Sequence, residues 1–64
     1  MAEYERKVRI VMKNNGCYFK RQGKGDHEIW YSPISNREIS VDSKIKSRIT
    51  ANEIMKQSGI NYHF

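Results

Sequence analysis

Residues 17–41 read CYFKRQGKGDHEIWYSPISNREISV, and the spacing inside that stretch decides the fold. Three short β-prone runs are separated by two turn signals. Cys17–Gln22 alternates two sets of side chains, with Cys17, Phe19 and Arg21 on one face and Tyr18, Lys20 and Gln22 on the other. Gly23, Lys24, Gly25 and Asp26 make a glycine-rich turn. His27–Tyr31 follows as a second strand, β-prone through Ile29, Trp30 and Tyr31. Ser32–Asn36, with Pro33 inside it, turns the chain again, and Arg37–Val41 is a third strand whose Ile39 and Val41 share a face. Loops this short between consecutive strands predict an antiparallel meander. On the second strand Ile29 and Tyr31 have the parity of His27, and Trp30 has that of Glu28. We expect Ile29 in the core and Trp30 on the open face.

Working outward, Tyr4, Val8, Val11 and Met12 fall at i, i+4, i+7 and i+8, one stripe of a helix from about Glu3 to Asn14. Acidic residues in its first turn and basic ones later suit the helix dipole, and Asn14, Asn15 and Gly16 supply a left-handed stop. Downstream, Asp42–Ser47 is a polar, basic connection whose one apolar residue is Ile45. The last helix has two candidate starts: Ser47, or Thr50 with Glu53 completing a capping box. Ala51, Ile54, Met55 and Ser58 line one face of it, and Gly59 ends it. Tyr62 and Phe64 either dock back or fray.

The order α-β-β-β-α predicts an α+β fold. A three-stranded antiparallel sheet alone would leave its apolar face wet, so both helices must cover that one face. The other sheet face stays exposed. This is the shape of a double-stranded-RNA-binding-type domain, reduced in size.

Length and composition bound the rest. Sixty-four residues, 38% of them apolar and 30% charged with a single proline, predict one small folded domain over residues 1–64 rather than a disordered chain. A nucleotide-binding α/β sheet does not fit in this length. Cys17 is the one cysteine, so no internal disulfide forms, and with His27 and His63 it falls short of a four-ligand zinc set. Twelve Lys and Arg against seven Asp and Glu give a net charge of +5, which favours a polyanionic partner. Membrane insertion is excluded as an expectation, because the longest apolar runs are Ile10–Met12 and Ile29–Tyr31. Glu3, Glu5, Arg6 and Lys7 leave no secretory segment, so a cytoplasmic location is expected.

The candidate chemistry centres on Gly23-Lys24-Gly25-Asp26-His27. The glycines permit a tight turn whose free N–H groups can receive a phosphate, with Gly25 and Lys24 at its tip. His27 opens the next strand beside that polar turn, and histidine is the side chain suited to moving protons near neutral pH. The competing reading is a strand-end histidine that merely bonds a neighbour. Lys20, Arg21 and Lys24 flank the turn, while Lys44, Lys46 and Arg48 lead into the last helix. If strand three returns the second group towards the first, one positive rim surrounds His27, fit for nucleic-acid phosphates. Tyr18, Trp30 and Tyr31 are surplus aromatics for so small a core, available for packing or for base stacking. A Ser-His-Asp triad would need Asp26 or Asp42 to orient His27, but no serine is marked as its nucleophile, and no glycine pattern matches a dinucleotide fingerprint.

The pattern resembles the HicA toxins of bacterial type II toxin–antitoxin pairs, over roughly Glu3 to Ile60. The resemblance rests on Asn15-Gly16, Arg21, Gly25-Asp26-His27 (where the family usually shows Gly-Ser-His), an aromatic at Trp30, then Pro33. It is completed by the ending Ile54-Met55-Lys56-Gln57-Ser58-Gly59-Ile60. It implies a small domain that cleaves mRNA without a metal or other cofactor, with a single catalytic histidine matching His27. It also implies a HicB-type antitoxin that binds over the toxin and occludes the site. Asp26 and Glu28 depart from the family's usual serine and histidine, adding negative charge beside the base. A non-catalytic RNA-binding module using the basic rim is the alternative from a different class.

Overall fold

The computed structural model describes residues 4–64. Its elements are α1 (Glu5–Asn14), β1 (Tyr18–Gln22), β2 (His27–Ser32), β3 (Arg37–Asp42) and α2 (Arg48–Ser58). The expected helix start at Glu3 lies outside the described residues. The strands form one antiparallel sheet in the order β1-β2-β3, so the meander and the α-β-β-β-α order are observed. The architecture is consistent with a double-stranded-RNA-binding-type fold.

Both helices end by the same device. After α1, Gly16 takes φ +87° and the Cys17 amide reaches back to the Met12 carbonyl at 2.9 Å. After α2, Gly59 takes φ +76° and the Ile60 amide reaches the Met55 carbonyl at 3.0 Å. These left-handed closures satisfy carbonyls that a helix end otherwise leaves bare. Of the two candidate starts for α2, Ser47 is the cap: its hydroxyl accepts from the amides of Ile49 and Thr50 at 3.1 and 3.5 Å. The last residues dock back rather than fray. The Phe64 amide donates to Asn52 Oδ1 at 2.8 Å, and its ring lies 5.7 Å from that of Tyr4.

The core joins Val8 and Met12 of α1, Trp30 of β2, Ile39 and Val41 of β3, and Ala51, Ile54 and Met55 of α2, with Cys17, Ile45 and Ile60 from the connections. Here the structure reverses one expectation. Trp30 is 2% exposed and belongs to the core, whereas Ile29 is half-buried on the opposite face. The register explains the reversal: Trp30 pairs with Ile39 and Glu28 with Val41, so the apolar face of β3 selects the Trp30 face of β2. Burying the large indole removes more apolar surface from water than burying Ile29 would, and its N–H finds a carboxylate partner. His27, Ile29 and Tyr31 consequently share the open face.

The other departure from simple alternation is in β1. Phe19 pairs with Trp30 and Arg21 with Ile29, so Lys20 is an extra residue, a bulge. Arg21 therefore lies on the face of Ile29 and Tyr18, not on the face of Phe19.

Candidate active site

The turn between β1 and β2 is closed by the Gly23 amide donating to the His27 carbonyl at 2.8 Å and the His27 amide donating to the Lys24 carbonyl at 3.4 Å. The Gln22 side-chain amide adds a donation to the His27 carbonyl at 2.8 Å. A Cβ on Gly23 would sit 3.1 Å from that carbonyl oxygen and from Ile29 Cδ1, and Gly25 holds φ +65°. Each glycine thus has its own reason, one close approach and one left-handed backbone. Among the described residues the amides of Lys24, Gly25 and Asp26 donate to no protein acceptor, and all three residues are exposed. Donors of this kind, presented in a turn, can receive an anion.

His27 stands next to those amides with its side chain 47% exposed. Its Nδ1 lies 2.7 Å from Oδ1 of Asp42, the residue directly opposite on β3. A carboxylate only accepts, so this contact is a hydrogen bond when Nδ1 carries the proton. In the neutral ring Nε2 then holds the lone pair. It has no partner among the described residues. β3 runs one residue beyond its expected end at Val41, and that extra residue is what meets the imidazole.

The strand ends beneath this pair are tied to α1. Arg9 Nη2 donates to the Asp42 carbonyl at 3.1 Å, and Arg9 Nε to Glu28 Oε1 at 3.2 Å. Trp30 Nε1 donates to the same oxygen at 2.9 Å. The indole donor, aided by Arg9, holds the Glu28 carboxyl below the usual carboxylate range. The Ser43 amide donates to the Asp26 carbonyl at 2.9 Å, stitching the end of β3 to the turn.

The cations are distributed unevenly around this centre. Lys24 and Gly25 are in the turn itself. Lys20 Nζ and Arg21 Nη2 both reach Glu38, at 2.7 and 3.2 Å, on the open face. Glu38 pairs with Tyr31, four residues along β2 from His27. The bulge is what lets two consecutive β1 residues share one carboxylate. The bond to Lys20 lowers the Glu38 carboxyl, and the carboxylate in turn raises the Lys20 ammonium. The connection after Ser43 is tied to the start of α1: Glu5 Oε1 accepts from the Ile45 amide at 2.8 Å, and Ile45 is buried. That amide, with Arg9 and Lys44 nearby, keeps the Glu5 carboxyl low. Lys44, Lys46 and Arg48 are exposed, and among the described residues no bond joins Lys46 or Arg48 to the turn.

Two clefts of about 380 and 410 Å³ lie elsewhere, one between the end of α2 and the C-terminal residues and one along α1. His27 lines neither. Its ring stands on an open surface, which suits a chain-like substrate better than an enclosed small molecule.

The family described as the HicA toxin of bacterial toxin-antitoxin matches residues 6–60. The chain belongs to the HicA toxin family. Comparison with curated proteins and with solved structures returned no match. Membership makes this chain the toxin of a toxin–antitoxin system, and therefore one with an antitoxin partner. Among the described residues no helix is long and apolar enough to cross a membrane.

Within this HicA chain, the structure adds Arg9 to the centre, and it sets against His27 the Asp42 that the sequence offers only as an orienting partner in a serine triad. Asp42 reads as the start of the connection, although counting back from the Ser32–Arg37 pair across the four-residue turn sets it opposite His27. Nothing in the sequence marks Arg9, which sits beside the apolar stripe of α1 like any solvated base.

Proposed function

We propose that this HicA toxin is an endoribonuclease that cleaves mRNA in the cytoplasm with His27 as its general base. The observation that supports the reading is the exposed imidazole on the open sheet face, bonded through Nδ1 to Asp42, beside turn amides with no protein acceptor. In the reaction the neutral ring takes the proton of a ribose 2′-OH. That oxygen attacks the adjacent phosphorus, a 2′,3′-cyclic phosphate forms, and the bond to the 5′ oxygen breaks. The leaving oxygen takes a proton from water or from the imidazolium. Lys24 and the amides around Gly25 stabilise charge on the phosphoryl oxygens. Lys20, Arg21, Lys44, Lys46 and Arg48 hold neighbouring phosphates with little sequence information. The step needs neither a metal nor another cofactor. It does require a 2′-OH, so DNA survives. A HicB-type antitoxin silences the toxin by covering His27.

The test is labelled mRNA incubated with the purified toxin in EDTA. Cut products are expected from the native protein, and none from His27→Ala, which keeps the fold and the RNA affinity. Cleavage by His27→Ala at the native rate refutes the assignment of the base. A shifted but intact RNA band identifies a binding module instead. Lys46→Ala and Arg48→Ala each weaken RNA binding and lower the salt slope by about one unit per lost phosphate contact. An unaltered slope removes those residues from the interface.

A further inference from the structure

We propose that Asp42 is the positioning residue of the site: it fixes His27 in the Nδ1–H tautomer, leaving Nε2 as the one atom that exchanges protons with RNA. The inference rests on the nuclease reading for its chemistry, but its geometry stands alone. An exposed imidazole free in solvent populates both neutral tautomers and rotates about two side-chain torsions, and either loss of order disables a base that must meet a particular hydroxyl. The carboxylate 2.7 Å from Nδ1 favours one tautomer and one ring orientation at once. Its backbone is held in turn. Asp42 pairs with His27 across the ladder, its carbonyl accepts from Arg9 Nη2 at 3.1 Å, and the next amide, Ser43, is bound to Asp26.

Arg9 gives this placement a reach beyond one hydrogen bond. Its guanidinium joins α1 to β2 through Glu28 and to β3 through the Asp42 carbonyl, the two strands that present the pair. An exposed side-chain pair gives up conformational entropy to hold one geometry, and a braced backbone lowers that cost. Here the backbones that carry His27 and Asp42 are paired across the ladder and braced from the covered side of the sheet. The side chain of Asp42 touches no substrate in this arrangement; it acts through the ring.

The deciding experiment joins a spectroscopic readout to kinetics. In the native protein, long-range ¹H–¹⁵N correlation of neutral His27 is expected to show Nδ1 carrying the proton and Nε2 bare. The opposite tautomer, or an even mixture, overturns the proposal without any variant having to fold. Asp42→Asn, whose amide can donate to a bare Nδ1 as well as accept from Nδ1–H and so admits the wrong tautomer, is expected to lower the cleavage rate about 10²-fold or more. Its RNA dissociation constant stays unchanged. Asp42→Glu, which restores a carboxylate, recovers about tenfold of that loss. Native-rate cleavage by Asp42→Asn, or a loss expressed as weaker RNA binding with turnover intact, overturns the proposal. Retained cleavage by His27→Ala is a different failure, that of the nuclease reading, and leaves the tautomer measurement standing.

Discussion

Glu28 and His27 are consecutive on β2 and face opposite ways. On the covered side, one oxygen of Glu28 accepts from both Trp30 Nε1 and Arg9 Nε, within a guanidinium whose other nitrogens bind the carbonyls of Glu5 and Asp42. On the open side, His27 spends one nitrogen on Asp42 and keeps the other. One oxygen of the first residue is taken up by the fold, whereas the second keeps a ring nitrogen with no partner among the described residues. Unspent capacity on a rigid element is where chemistry with an outside molecule can occur, and the anchored neighbour contributes to the rigidity.

The sharpest way to break this contrast is to empty the covered face. Trp30→Ala removes a buried indole and is expected to cost about 3–5 kcal/mol, enough to unfold much of so small a domain, as read by chemical denaturation. The adjacent Ile29→Ala, on the open face, costs about 1–2 kcal/mol. Equal losses would mean that the two faces are not divided as described. Next in size is Glu28→Gln, expected to cost about 1–2 kcal/mol at neutral pH through weakened charge-assisted bonds. Its pH dependence carries a sign. The carboxyl is lowered in the folded state, chiefly by the Trp30 donor, so its contribution is full above the unfolded value of about 4.3. The contribution is lost as pH falls through the lower folded value. Native and variant stabilities therefore converge in acid; a constant difference down to strong acid would deny Glu28 that role. The smallest effect is expected from Lys20→Ala. Its exposed pair leaves the thermal midpoint unmoved, while NMR titration shows the Glu38 carboxyl rising towards its ordinary range. A drop in the midpoint would mark the open face as structural too.

Most of the framework is legible in the sequence because the punctuation is local. Gly16 and Gly59 end helices by requirements of their own backbone, Ser47 offers a cap, and the two turns announce three strands. Faces are harder. Alternation groups Ile29 with Tyr31 and Trp30 with Glu28, yet both groups of β2 carry large apolar side chains, so parity alone does not say which is covered. Only β3 is unambiguous, with Ile39 and Val41 against Glu38 and Ser40, and its preference reaches β2 through the register. The choice of face matters for the chemistry as well as the core. Burying Ile29 would put His27 on the covered side, whereas its exposed position depends on Ile29 lying outward with it. The bulge at Lys20 and the bonds of Arg9 are tertiary, fixed by how strands and a helix meet, and no residue type signals them.

That bulge lies in a strand at the border of the sheet. β1 is an edge strand whose five residues are all exposed, and a straight edge of that length invites a second copy to add itself strand by strand. The irregularity at Lys20 breaks the rhythm of outward amides and carbonyls and raises two cations beside it. Two of the devices that blunt an open sheet edge, an irregular strand and charged side chains, thus coincide on this border.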